Sequence, residues 1–266
     1  DGLVASYETI ATSIPEELGD VASAVGEVNT RFHTTGEELE GQTTLFLQFA
    51  KITGGDVVSS VDSADKVLKT FGKTSDNASG LLGMVAKAAQ DTGINAQGLM
   101  DDVLANSATF KELNFSLEES VNFMALLDEN GVESGVALAG LKKAVVNLTD
   151  AGMSESEALQ TVIDKIKNAG SETEALTIAQ ETFGTKGAAE MATAIREGRL
   201  SLDDLSASMA DYSTVVTDTY NNTMVALRKE SVDRNGINWY KEGGILSSLS
   251  ARRAWIEISR ARIQHC

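Results

Sequence analysis

An all-α fold is predicted for this chain: a multi-helix bundle or an array of helix hairpins, with helices that end at glycine. Three observations predict it. Pro15 is the only proline in 266 residues, and proline is the residue that most strongly breaks a helix interior. Apolar residues recur at three- and four-residue steps in one segment after another, the period of a helix with one buried face. Single glycines, among the 23 present, fall at intervals of about a helix length, where they serve as terminators. Strand signals are nearly absent, since the β-branched pairs Val57-Val58 and Val145-Val146 lie inside helical periods.

Taken in order, Asp1 to Thr12 reads as the end of a helix. Ser13-Ile14-Pro15-Glu16 combines a capping serine, a first-turn proline and a Glu three residues on, which predicts a helix start. That helix runs to about His33 with Leu18, Val21, Val25, Val28 and Phe32 on one face. Thr35 with Glu38 opens the next, which carries Leu39, Leu45, Phe46, Phe49 and Ile52 and stops at Gly54-Gly55. Asp56 starts a third, with Val57, Val61, Ala64, Leu68 and Phe71 inward and Gly72 as its stop. Ser75 to Gly93 is a fourth, through Leu81, Leu82, Val85, Ala88 and Ala89. Asn95 begins a fifth with Leu99, Val103, Leu104 and Ala108.

Phe115 to Leu148 reads as two helices joined by a glycine. Ser116 and Glu119 form a Ser-x-x-Glu capping box, in which each side chain covers the other residue's unpaired backbone N–H. Leu117, Val121, Met124, Leu126 and Leu127 make an apolar face, and Gly131 supplies the left-handed residue that ends a helix. In the second helix Val136, Leu138, Leu141, Val145 and Leu148 are apolar, while Ala137, Ala139, Gly140 and Ala144 keep it thin enough for a close neighbour. The pair is a hairpin built for packing.

Beyond Gly152, Ser154 with Glu157 and Ser171 with Glu174 are further capping boxes. They precede the stripes Ala158, Val162, Ile166 and Ala175, Ile178, Ala179, Phe183. A short helix from about Lys186 to Glu197 precedes Gly198. Ser201 with Asp204 opens a long helix through Leu205, Met209, Tyr212, Val216, Tyr220 and Leu227. From Ser231 the character changes to two tryptophans and several arginines, with a basic amphipathic pattern from Ser250 to Gln264. Three parts follow: N-terminal helices over 1–55, a helical core over 56–228, and a basic, poorly ordered or truncated tail over 229–266.

Composition narrows the function classes. Hydrophobic residues are 42% of the chain but aromatics only 5%, so alanine and glycine do much of the filling. Net charge is −17. From Ala226 onward eight basic residues face four acidic ones, a balance of +4, so the preceding body carries −21. An acidic body excludes specific nucleic-acid binding as its main task, because phosphate contacts need Lys and Arg. Cys266 is the only cysteine, which excludes an internal disulfide framework or a cysteine-rich metal site. No run approaches the ~20 apolar residues of a spanning helix. The opening DGLVASYETI has no initiator Met or signal-peptide pattern and reads as a piece of a longer product.

The residues suggest no chemistry. Only His33 and His265 are histidines, and no nucleophile triad, metal-ligand spacing, phosphate loop or dinucleotide fingerprint occurs. The carboxylate clusters Glu37-Glu38-Glu40, Asp101-Asp102, Glu118-Glu119 and Asp203-Asp204 fall in first turns or on exposed helix faces, where they complement the helix dipole. Met84, Met100, Met124 and Met191 read as core fillers. No catalytic, cofactor-binding or metal residue is assigned, and the chain is expected not to be an enzyme.

Several stretches resemble the core region of bacteriophage tail tape measure proteins. SLEESVNFMALLDENGVESGVALAGLKKAVVNL is similar to that family's S-L-E-E helix, glycine turn and S/G-x-A-G-x-x-L helix. TFGTKGAAEMATAIREGRLSLDDL, from Thr182, resembles its L-F-G-x-x-A pattern, helix and G…L turn. VLKTFGKTSDNASGLLGMVAKAAQDTGINAQGLMDDVLANSATFKEL resembles the preceding family segment, and NWYKEGGIL its W-x-x-G-G-I element. The matches cover roughly Ser60 to Met224 and a piece around Trp239; their order and spacing carry the resemblance. The family then continues with a proline- and glycine-containing segment, where this chain has SSLSARRAWIEISRARIQHC.

The resemblance implies a virion structural protein, made in the host cytoplasm, that occupies the tail tube lumen, sets tail length in assembly and leaves ahead of the DNA. Implied partners are the tail tube protein, tail assembly chaperones and the tail-tip or baseplate hub, with self-association, and with host membrane contact through regions outside this chain. A secreted membrane-active helical toxin or effector is the alternative that the Ala/Gly-rich helices suggest. A peptidoglycan hydrolase, found as an insert in some tape measure proteins, would need catalytic residues that this chain does not display.

Overall fold

The computed structural model describes residues 2–150, 152–153, 155–185, 188–198 and 208–235. It is all-α: among the described residues there are thirteen α-helices and two short 3-10 turns, and no strand. The helices are α1 (Gly2–Ser13), α2 (Leu18–Phe32), α3 (Gly36–Thr53), α4 (Val57–Thr70), α5 (Ala78–Thr92), α6 (Ala96–Ala105) and α7 (Ser107–Glu112). They continue with α8 (Leu117–Glu129), α9 (Ser134–Thr149), α10 (Glu155–Lys167), α11 (Glu172–Phe183), α12 (Ala188–Arg196) and α13 (Val215–Asn235). The 3-10 turns span Ser75–Asn77 and Met209–Tyr212.

Most starts and stops lie where local chemistry puts them. Asp56 accepts the Ser59 N–H at 2.8 Å and Asn95 accepts the Gly98 N–H at 2.7 Å. Both halves of the Ser116–Glu119 box form, at 3.1 and 2.7 Å. Thr35 is the N-cap of α3, yet its side chain makes no capping bond. Ser171 accepts the Glu174 N–H at 3.1 Å, but the Glu174 carboxylate reaches one residue further back, to the Gly170 N–H at 2.8 Å. Replacing Ser116 by alanine is expected to cost about 1 kcal/mol in urea denaturation. The Ser154–Glu157 and Ser201–Asp204 starts lie outside the described residues.

Four sequence expectations are corrected. Ser13 closes α1 instead of opening α2: its hydroxyl donates to the Ile10 carbonyl at 3.0 Å, and the Ile14 N–H is bonded to that same carbonyl. With Ile14 committed to α1, residues 15–17 turn the chain and Glu17 is the N-cap of α2. Leu18 therefore lies at the start of the helix, 57% exposed, off the buried face formed by Val21, Ala24, Val25 and Val28. The helix from Asn95 breaks at Asn106, which divides it into α6 and α7. The long helix expected through Met209 and Tyr212 is interrupted: those residues form a 3-10 turn, and α13 begins only at Val215.

The fourth correction concerns the expected hairpin. Both of its helices form, but α8 and α9 barely touch each other. Helix α8 packs against α5 and α6, whereas α9 packs against α10 and α11, with α7 alongside. Gly131, with φ of +64°, turns the chain from one set of helices to the other. In the first set α2 lies on α3 and α4, α4 on α6, and α3 on α1, α5 and α13; in the second, α12 packs on α10 and α11.

The aliphatic core is supplemented by a knot of phenylalanines at the junction. Phe110 of α7, Phe115 of the following link and Phe123 of α8 have ring centroids 5.6 to 6.4 Å apart, the separations at which aromatic pairs attract. Acidic helices meet through charge pairing at one edge: Arg31 of α2 lies 2.6 Å from Asp62 of α4 and also bonds Glu27, while Lys69 bonds Asp65 at 2.9 Å.

Candidate functional site

Several members of the carboxylate clusters have local partners. Glu119 belongs to the α8 capping box, and Glu118 lies 3.5 Å from Lys73. Glu38 accepts from Gln42 at 3.4 Å, and Glu37 shares its exposed first turn. Asp101 accepts from Ser63 at 2.9 Å and from Gln97 at 3.0 Å, which ties α6 to α4. Asp203-Asp204 and His265 lie outside the described residues. Among the described residues no group of three or more His, Cys, Asp or Glu is placed to hold a metal ion. His33 is the left-handed C-cap of α2 (φ +57°), where its backbone N–H bonds the Asn29 carbonyl. Met84, Met100, Met124 and Met191 are buried.

Among the described residues Asp102, although on an exposed face, has its pKa raised above the ordinary value; partial desolvation comes first among the causes, followed by the charges of Asp128 and Asp101. The folded chain thus holds this proton more tightly than the unfolded chain. Stability from Asp102 is therefore gained as pH falls through its folded pKa, and its charge opposes folding near neutrality. Asp102→Asn is expected to raise Tm at about pH 7, with the gain disappearing by about pH 3, where the wild-type carboxyl is already neutral. Scanning calorimetry at the two pH values checks this.

The least ordinary geometry in the molecule is made by glycines at which two stretches of main chain touch. A Cβ at Gly140 on α9 would lie 1.7 Å from the Thr182 carbonyl oxygen at the end of α11. On α5, a Cβ at Gly80 would lie 2.7 Å from the Met209 carbonyl oxygen, and one at Gly83 would lie 1.9 Å from that of Tyr212. Real Cβ atoms do not approach so closely, so these positions admit only hydrogen. The thin face at Gly140 was legible in the sequence; Gly80 and Gly83 were not, because no periodic signal separates a seam glycine from a merely tolerated one.

Polar contacts join α13 to the first set of helices. Thr217 donates to Gln48 at 3.0 Å, Gln90 to Thr219 at 3.2 Å, and Tyr220 to Glu16 at 3.0 Å, with Lys51 3.2 Å from the other Glu16 oxygen. Gln48 is buried, a polar residue among the apolar ones of α3. An open hollow lies where α1, α3 and α13 meet, lined by Thr9, Ser13, Glu40, Thr44, Gln48 and Thr217 among others. The arrangement offers helix faces and helix ends, the chemistry of assembly by packing. Among the described residues no helix is long and apolar enough to cross a membrane.

Residues 8–181, more than half of the chain, match the sequence family described as phage-related minor tail protein. No curated protein and no solved structure matches the chain.

Proposed function

This chain belongs to the phage-related minor tail proteins, structural components of the virion tail, and on that premise we propose that it is the tail tape measure protein. The observation that carries the reading is the ordered run of tape-measure-like motifs, of which the S-L-E-E helix and its A-G-x-x-L successor, now α8 and α9, lie within the matched residues. In this reading the chain occupies the tail tube lumen, sets tail length during assembly and leaves with the DNA. Its partners are the tube protein, the tail assembly chaperones and the tail-tip or baseplate hub, together with further copies of itself. It works without catalytic, cofactor or metal residues and without specific nucleic-acid binding.

The helical architecture supports this role. A helix advances about 1.5 Å per residue, so a helical chain laid along a tube is a ruler with a fixed scale. In-frame deletion of the α10–α12 segment from the phage gene is expected to shorten tails by at most about 1.5 Å per residue removed, measured by electron microscopy of virions. Tails of unaltered length would refute the proposal.

A further inference from the structure

We propose that Asn130 is a deamidation site that the fold holds closed, and that its conversion to aspartate or isoaspartate loosens the corner between α8 and α9. Asn130 is followed by Gly131, and glycine, with no Cβ, leaves its backbone nitrogen open to close approach. That nitrogen is the nucleophile. After losing its proton to hydroxide it bonds to Cγ of Asn130; the Cγ–Nδ2 bond breaks, and the amide leaves as ammonia with a proton taken from water. A second water opens the five-membered ring at either carbonyl, which gives aspartate or, with one more carbon in the main chain, isoaspartate.

Three features of the fold oppose this reaction. Ring closure needs the Gly131 nitrogen turned to the Cβ side of the Asn130 Cα–C bond, but a ψ of 8° holds it eclipsed with the nitrogen of Asn130 itself. The Gly131 N–H donates to the Asp128 carbonyl at 2.9 Å and the Val132 N–H to the Leu127 carbonyl at 2.8 Å, so that rotation undoes the close of α8. The leaving amide donates from Nδ2 to the Leu126 carbonyl at 2.8 Å, which ties the side chain back along the helix. The reaction therefore waits on opening of the last turn of α8. Once it has happened, the turn does not re-form as before. The donor to Leu126 is gone, and a new carboxylate stands among Asp128, Glu129 and Glu133 at the negative end of the helix dipole. Isoaspartate also lengthens the main chain inside the closing bonds. The damage falls where the chain passes from one set of helices to the other.

Incubating the full chain in mildly alkaline buffer, with and without denaturing urea, tests this by mass mapping of the peptide that carries Asn130. Conversion in urea is expected to be at least about tenfold faster than in native buffer, because the native reaction passes only through the opened fraction. Asn235 also precedes a glycine and serves as the reference in urea, where the two should convert within about threefold of each other, both nitrogens being equally unhindered. Asn130→Asp is expected to lower the hydrogen-exchange protection of Gly131 and Val132 by at least about threefold while leaving α5 unchanged. Three results would overturn the proposal: equal rates with and without urea, no conversion of Asn130 in urea while Asn235 converts, or unaltered Gly131 and Val132 protection in Asn130→Asp. Should the variant fail to fold, the two incubations of the unmodified chain decide the matter.

Discussion

Gly140→Ala is expected to destabilise the packing of α9 on α11 by about 3 kcal/mol, at the upper end of the usual cost of overpacking. The new Cβ would stand 1.7 Å from the Thr182 carbonyl oxygen. That atom is main chain, so the strain cannot be relieved by rotating a side chain; the two helices must move apart. Ala137, Leu138 and Leu141, buried on the same helix, would then lose contact with α10 and α11. Gly135→Ala is the control, because the nearest atom to its Cβ is Glu133 Oε1 at an ordinary 3.6 Å. Urea denaturation should show a large drop in midpoint for the first variant and almost none for the second. Equal midpoints would show that α9 and α11 are not in main-chain contact.

Phe110→Ala is expected to cost about 3 to 5 kcal/mol, the usual range for emptying a buried phenylalanine site. Phe110 is fully buried and stacks on Phe115 at 5.6 Å while meeting the edge of Phe123 at 6.4 Å. The gap would sit where α7 bridges α6 and α9, so the two remaining rings, Phe115 and Phe123, would lose their common partner. Phe110→Leu keeps most of the volume and should recover more than half of the loss. Measured in the same urea series, a loss below about 1 kcal/mol for the alanine variant would contradict a close-packed aromatic knot.

The residues explain why some of this was legible and some was not. Asp56, Asn95 and Ser116 begin helices because a short polar side chain can reach the unpaired N–H groups of its own first turn, and that chemistry is written within four positions. Gly54, Gly72 and Gly93 lie just beyond helix ends with positive φ for an equally local reason. Ser13 carries the same local signal, and there it misleads: the N–H of Ile14 was already bonded to Ile10. Gln48 carries no sequence signal for burial, because its partner Thr217 lies far away along the chain. Asp102 keeps the exposed position that the sequence predicts, and what the sequence does not show is that Asp128 from another helix helps raise its pKa.

The hairpin illustrates the same division. Sequence periodicity marked α8 and α9 as two amphipathic helices with a glycine between them, and both are present. Periodicity describes one helix at a time, so it reports that a face is to be buried without naming the neighbour. Adjacent helices were expected to pair; instead α8 turns to α5 and α6, and α9 to α10 and α11.

What the sequence by itself determined was the fold class, the capped starts and glycine stops of most helices, their apolar faces, and a composition suited to packing. These depend on interactions within about one helical turn, and so they survive in a linear reading. Only the tertiary structure decided which faces meet, which of the many glycines are seams, and that a 3-10 turn and α13 return to close over α3 and α5. Those outcomes depend on shape complementarity between segments up to 204 residues apart, and no local pattern encodes the identity of a distant neighbour.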